Sequence, residues 1–186
     1  MARFVENVEG LDSAAPALWS TLGGVMRLQD AAFVQALHVH HSYAIATAIV
    51  LLAGLSEASA QSIVLFANRV SPARFALSLV TNALLFACGY LFLVASTFAI
   101  SAIPGAAHLS FTTLLLVFAF SYAPRVFAFW AALPYLGNAI QWGLRVWHLL
   151  AMVVGIAAVA HLNGTQAFVY VAAGWLLMIV AQHTFG

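Results

Sequence analysis

The stretch Tyr43–Ala67, YAIATAIVLLAGLSEASAQSIVLFA, decides how the rest of the chain is read. Its first half, Tyr43–Leu55, is strongly apolar but too short alone to cross the roughly 30 Å of hydrocarbon in a bilayer. Continued through Glu57, Ser59, Gln61 and Ser62 into the apolar patch Ile63–Ala67, it makes one helix. About 24 residues at 1.5 Å each give roughly 36 Å, enough to span with some tilt. This places Glu57 and Gln61 inside the membrane zone, one helical turn apart and on one face. Asn68-Arg69-Val70-Ser71-Pro72 then ends the helix, and Ser71-Pro72 suits the cap and first turn of a second one.

Composition extends this reading to the whole chain. Of 186 residues, 65% are hydrophobic and 6% are charged, and the mean hydropathy is +1.02. A soluble domain carries about 25% charged residues. Six Arg, no Lys and five acids cannot cover a water-facing surface, so a soluble domain and a disordered tail are excluded. The net charge of +1 offers no basic field for nucleic acid. Cys88 stands alone, which excludes an intramolecular disulfide and a cysteine-held metal cluster. The N-terminus, MARFVENVEGLDSAAPALW, has Glu6, Glu9 and Asp12 where a secretory signal would be basic. The spans themselves are expected to drive insertion.

Residues 1–12 are polar. From about Ser13 to Leu37 an amphipathic helix is expected, with Pro16 in its first turn. Leu18, Leu22, Val25, Met26, Phe33 and Leu37 fall near one face, and Arg27, Gln29 and Asp30 on the other. Such a helix lies in the headgroup plane or packs on its own protein. Beyond the first span, a second covers about Arg74–Ile103 and is broken by Pro104-Gly105. A third begins near His108 and is apolar to Ser121. Pro124 and Arg125 interrupt it, and whether it continues, kinked, to Leu133 stays open. Leu133-Pro134-Tyr135-Leu136-Gly137 forms a turn, a fourth span covers Ile140–His161, and a fifth covers Gln166–Gln182. The expected fold is all-α: a polytopic transmembrane helical bundle of five spans plus an N-terminal interfacial helix. It divides into residues 1–40, the polar N-terminus and interfacial helix, and 41–186, the bundle. Small-residue pairs such as Ala151/Gly155 suit helix contacts in lipid. Trp130, Tyr135, Trp142 and Trp147 suit anchoring at the membrane interface.

Ser121-Tyr122-Ala123-Pro124, Leu133-Pro134-Tyr135-Leu136-Gly137, Val146-Trp147-His148 and Val154-Gly155-Ile156 together resemble the back half of a Yip-domain protein. The Asn68–Pro72 turn resembles that of bacterial members. The resemblance covers roughly residues 35–183. It implies five membrane helices and, in eukaryotic members, work in vesicle traffic with small GTPases. The acidic-aromatic cytosolic motif of those members is absent here, which removes the ground for a GTPase partner.

No catalytic motif is present: no HExxH, no Gly-x-Ser-x-Gly, no phosphate-binding loop and no dinucleotide glycine fingerprint. No catalytic residue is therefore assigned, and the chain is read as non-enzymatic. Glu57 is the one acid at membrane depth, where ionisable groups are costly and are paired or functional. It has three readings: a proton or ion relay with Gln61 and Ser62 beside it, a surface residue on a shorter span, or a structural bond to Asn82 or an Arg. His108, His148, His161 and His183 fall near span ends, with His108 and His161 on one side and His148 and His183 on the other. Two axial His pairs can hold haem, and a single His can ligate chlorophyll magnesium. The His38-x-His40-His41 run reads as a headgroup-facing cluster, since a metal site there needs a further ligand such as Asp30.

The function expected from this is a multi-pass integral membrane protein that is a scaffold, an assembly factor or a small accessory subunit. Its partners are the lipid bilayer and other membrane proteins in a hetero-complex. The alternatives are a small transporter or channel using Glu57, and a haem- or chlorophyll-binding subunit using the four histidines. Orientation has two readings. Arg69, Arg74, Arg125 and Arg145 on one side, against Arg3 and Arg27, favour a cytoplasmic C-terminus. The Yip resemblance implies a cytosolic N-terminus instead.

Overall fold

In the computed structural model every element is helical. It describes residues 16–39, 41–67, 71–103, 107–133 and 135–185, with side chains at all of these except 61, 63–67, 72, 79, 82, 85 and 177–185. Helix α1 covers 16–26. It is followed by α2 (Asp30–His38), α3 (Ser42–Ala67), α4 (Pro72–Ser101), α5 (Phe111–Ser121), a 3-10 helix over Ala123–Ala132, α6 (Gly137–Ala160) and α7 (Gly164–Phe185). Three segments are long and apolar enough to cross a membrane: Ser42–Ala60, Phe111–Ala132 and Gly137–Ala160.

The buried positions follow the helical period. Among the described side chains of α3 they are Ser42, Ile45, Ala46, Ile49, Ala53, Ser56 and Ala60. Among the described side chains of α4 they are Tyr90, Leu93, Val94, Ser96, Thr97 and Ser101, and on α6 His148, Ala151, Met152, Gly155 and Ile156. Spacings of three and four put each set on one stripe. These stripes close around α5, whose residues from Leu116 to Ser121 are all buried.

Contacts fix the direction of each helix. Tyr43, Ala46 and Val50 share a groove with Leu115, Leu116 and Ala119, and fourteen positions later Glu57 meets Arg125. Helices α3 and α5 therefore run parallel. Phe98 stacks edge-on against Phe111, and Phe86 against Tyr122, so α4 is antiparallel to both. On α6, His148 reaches Ser121 and Gly155 reaches Val117, which makes it antiparallel to α5. The Tyr170 hydroxyl accepts from the Ala107 amide, and Gly174 abuts Thr97, so α7 is antiparallel to α4. From α3 to α7 the direction alternates at every step.

The expected single helix over 13–37 is instead two helices where it is described. They meet at a turn in which Leu28 takes a left-handed φ of 54°, and residues 13–15 lie outside the described part. The chain folds back sharply there: a Cβ on Gly24 would come within 2.5 Å of the Ala32 Cβ. The stripe expected to face a membrane surface turns inward, and Leu22, Val25, Phe33 and Ala36 join the bundle core. The helical period only sorted these residues onto one side, and tertiary packing chose what that side covers.

Helices α4 and α7 touch through small groups. Ser96 Oγ donates to the Gly174 carbonyl at 3.2 Å, and the fully buried Thr97 hydroxyl faces the Gly174 Cα. A Cβ at Gly174 would stand 2.5 Å from Thr97 Oγ1. Gly174→Ala is expected to destabilise the bundle by about 1–3 kcal/mol, the usual range for overpacking. Adding Thr97→Ala should restore part of that, because Thr97 Oγ1 has no hydrogen-bond partner to lose. Thermal unfolding of the two variants in one detergent measures both effects.

Candidate functional site

The site grows from a break in the third apolar segment. Pro124 has no N–H, and its ring crowds the carbonyl four residues back, so a regular α-helix is kinked or broken there. Helix α5 stops at Ser121, and the chain continues as a ten-residue 3-10 helix. Such helices seldom exceed three or four residues, so this one needs support from its neighbours. The tighter winding sends the Arg125 amide to the Tyr122 carbonyl at 2.9 Å. In an α-helix that amide would have served Ser121, whose carbonyl is therefore left without a helical donor.

His148 supplies it. Its Nδ1 lies 2.7 Å from the Ser121 carbonyl oxygen, and its ring lies 4.3 Å from the Tyr122 ring. A carbonyl only accepts, so the network assigns the proton to Nδ1. Tyr122 in turn meets Phe86 and Tyr90 edge-on, and the Tyr90 hydroxyl donates to the Leu115 carbonyl at 2.5 Å. An aromatic wedge from α4 and α6 thus fills the place where α5 ends. Replacing His148 by Leu should leave the Ser121 carbonyl buried and unpaired, at a cost of about 1–3 kcal/mol. Replacing it by Asn, whose side-chain amide can donate, should cost less, and comparing the two unfolding midpoints tests the carbonyl's role.

Helix α3 supplies the second clamp. Glu57 Oε2 accepts from Arg125 Nη2 at 2.6 Å, with the two side chains 22% and 18% exposed. The neighbouring Ser56 Oγ accepts from the Phe129 amide at 2.8 Å. Consecutive residues of α3 therefore hold two points of the 3-10 helix, four residues apart. Arg125 Nε is buried without a partner. The Arg125 amide bonds the Tyr122 carbonyl and the Tyr122 ring stacks on His148, so the charged pair and the aromatic wedge form one cluster.

Of the three readings of Glu57, the bond to an Arg is the arrangement found, and the Arg is Arg125. The Gln61 side chain lies outside the described residues. The three of the four histidines whose side chains are described, His108, His148 and His161, are not brought to one place. His148 sits at the middle of α6 rather than near an end, because the helix starts at Gly137. His161 caps the far end of α6 in a left-handed conformation. Thirteen residues of helix, about 20 Å, separate the two, so they cannot be axial ligands of one metal. His108 is exposed in the α4–α5 connection, and the His183 side chain lies outside the described residues. Among the described residues no three His, Cys, Asp or Glu side chains gather as a metal site.

Comparison with protein-family models, with curated proteins and with solved structures found no match.

Sequence reading missed Ser56, Tyr122 and the specific choice of Arg125. One signal was present. Glu57 lies fifteen residues after Ser42 and Arg125 fourteen after Phe111. Two parallel segments entered at similar heights bring such residues level.

Proposed function

We propose that this chain is a non-enzymatic integral membrane protein that crosses the bilayer five times, through α3, α4, α5 with its 3-10 extension, α6 and α7. It serves as a scaffold, assembly factor or small accessory subunit of a larger membrane complex. The Glu57–Arg125 ion pair carries this reading. The Glu57 charge is neutralised within the chain, where it joins two segments and holds an otherwise weak 3-10 helix. That is a structural duty. The alternating direction of α3 to α7 supports five crossings, and the resemblance to Yip-domain proteins belongs to the same proposal. Exposed Phe127, Trp130, Tyr135 and Trp142 supply apolar surface for membrane neighbours.

Purification in mild detergent tests the proposal. The expected outcome is a membrane protein retained in fixed stoichiometry and lost from a Trp130→Ala/Tyr135→Ala variant that still folds. A single monodisperse chain would count against it. The transport alternative draws on Arg125 Nε, a polar atom without a partner beside Tyr122 and His148. An ion flux in proteoliposomes that Glu57→Gln abolishes would move the assignment there. A haem or chlorophyll absorption band in the purified protein would move it to the pigment reading.

A further inference from the structure

Five of the six charged side chains described in the structure stand at one level of the bundle. Glu57 is bonded to Arg125, and Arg125 lies four residues beyond Ser121, whose carbonyl is level with His148. Arg145 lies three residues before His148 on the antiparallel α6, which is the same direction along the bundle, about 4.5 Å away. Trp147 Nε1 donates to the Met26 carbonyl at 3.1 Å, which brings the turn between α1 and α2 to this height. That turn carries Arg27, Gln29 and Asp30, all exposed. Arg74, the sixth, lies in the first turn of α4, so it too is on the belt's side of the bundle. Away from the belt in the other direction, α3 back to Ser42, α5 and the second half of α6 carry no Asp, Glu, Lys or Arg.

We propose that this belt marks one membrane–water boundary, and that Arg27 and Arg145 bind the anionic phospholipid headgroups of that leaflet. Among the described residues neither has a carboxylate partner, unlike Arg125. The Arg145 guanidinium lies 5.5 Å from the Trp142 ring centre, and Trp142 is exposed. An aromatic–arginine pair of this kind belongs at headgroup level, where one side chain is amphipathic and the other is attracted to phosphate. Among the described residues, Arg27, Arg74, Arg125 and Arg145 on one side identify the leaflet as the cytoplasmic one, whose surface is negative. Arg27, which linear order assigns to the opposite side, joins the others because the hairpin carries it there. The C-terminal end of α7 then lies on the cytoplasmic side. The apolar stretch is short: Ser42 to Glu57 is about 22 Å against roughly 30 Å of hydrocarbon. Outward-reaching arginines and local thinning of the bilayer accommodate the difference.

The inference rests on the membrane reading, so its test separates the two. In a Cys88→Ala background, single cysteines replace Gln29, Gly143, Leu51 and Leu91 in the full chain, reconstituted in phosphatidylcholine vesicles with or without phosphatidylglycerol. Gly143 has open space for a side chain. A membrane-impermeant maleimide is expected to label the first two positions and spare the last two. Arg27→Gln and Arg145→Gln are each expected to weaken phosphatidylglycerol retention about five-fold, following about 1 kcal/mol per basic residue at an anionic surface. Protection of Gln29→Cys and Gly143→Cys alongside Leu51→Cys overturns the boundary. Labelling as expected with unchanged phosphatidylglycerol retention in both Arg variants overturns headgroup binding. Labelling of Leu51→Cys and Leu91→Cys overturns the membrane reading itself.

Discussion

Arg125→Ala should cost the fold about 2–3 kcal/mol. Removing one partner of a buried ion pair costs about 3–5 kcal/mol because the other charge is stranded, and the residual exposure here reduces that. Glu57 is the charge left behind, on a helix face turned toward the 3-10 segment. Glu57→Ala should cost a similar amount, because the Arg125 side chain is mostly buried, its Nε already lacks a partner, and it makes no second ion pair among the described residues. The double variant should lose much less than the sum of the two, since it strands nothing. A double-mutant cycle on unfolding midpoints in detergent measures the difference. Strict additivity of the single costs would show that the two side chains are not coupled, and would remove the structural role assigned to them.

Gly155→Leu should have the second largest effect, and a local one. A Cβ at this position would already stand 2.7 Å from Val117 Cγ1 and 2.8 Å from Phe33 Cε1. Both neighbours are buried, so neither has room to withdraw. Gly155→Ala should cost about 1–3 kcal/mol by overpacking. With Leu, the cheaper response is for α2 to leave the bundle, since α2 is nine residues long and α5 is buried throughout from Leu116 to Ser121. Trypsin cleavage after the exposed Arg27 should then accelerate, because the turn is no longer held by the packing of Phe33. An unchanged cleavage rate alongside a lowered unfolding midpoint would place the damage in the α5–α6 contact instead.

How far the sequence foretells these features depends on the kind of signal. The helical stretches were legible because apolar residues dominate them: the first span was expected at Tyr43–Ala67 and the helix runs Ser42–Ala67. Pro124 marked an interruption, but the 3-10 continuation was not legible. It depends on Ser56 and Glu57 holding a segment about seventy residues away, and local propensity carries no trace of that. The N-terminal stripe was legible but its two readings, headgroup plane or packing on its own protein, were not separable, since periodicity does not distinguish a lipid face from a protein face; the second is the one found. His148 was placed near an end of a span beginning at Ile140, while α6 in fact extends eleven residues before it. Its partner, a backbone carbonyl freed by a proline three residues on, has no side-chain signature to read.

The 3-10 helix also has a shape. With three residues per turn, side chains three apart stand directly above one another instead of winding around the axis. Arg125, Ala128 and Ala131 therefore make one straight edge of a three-sided prism, and this edge begins with the arginine that Glu57 grips. Phe127, Trp130 and the following Leu133 make another, and all three are exposed. In an α-helix the same residues would drift by about 120° between Phe127 and Leu133. Here they form a straight keel, about 12 Å long at the 3-10 rise. A bundle of twisted cylinders thus presents one rectilinear, largely aromatic ridge, held in line by two residues of a different helix.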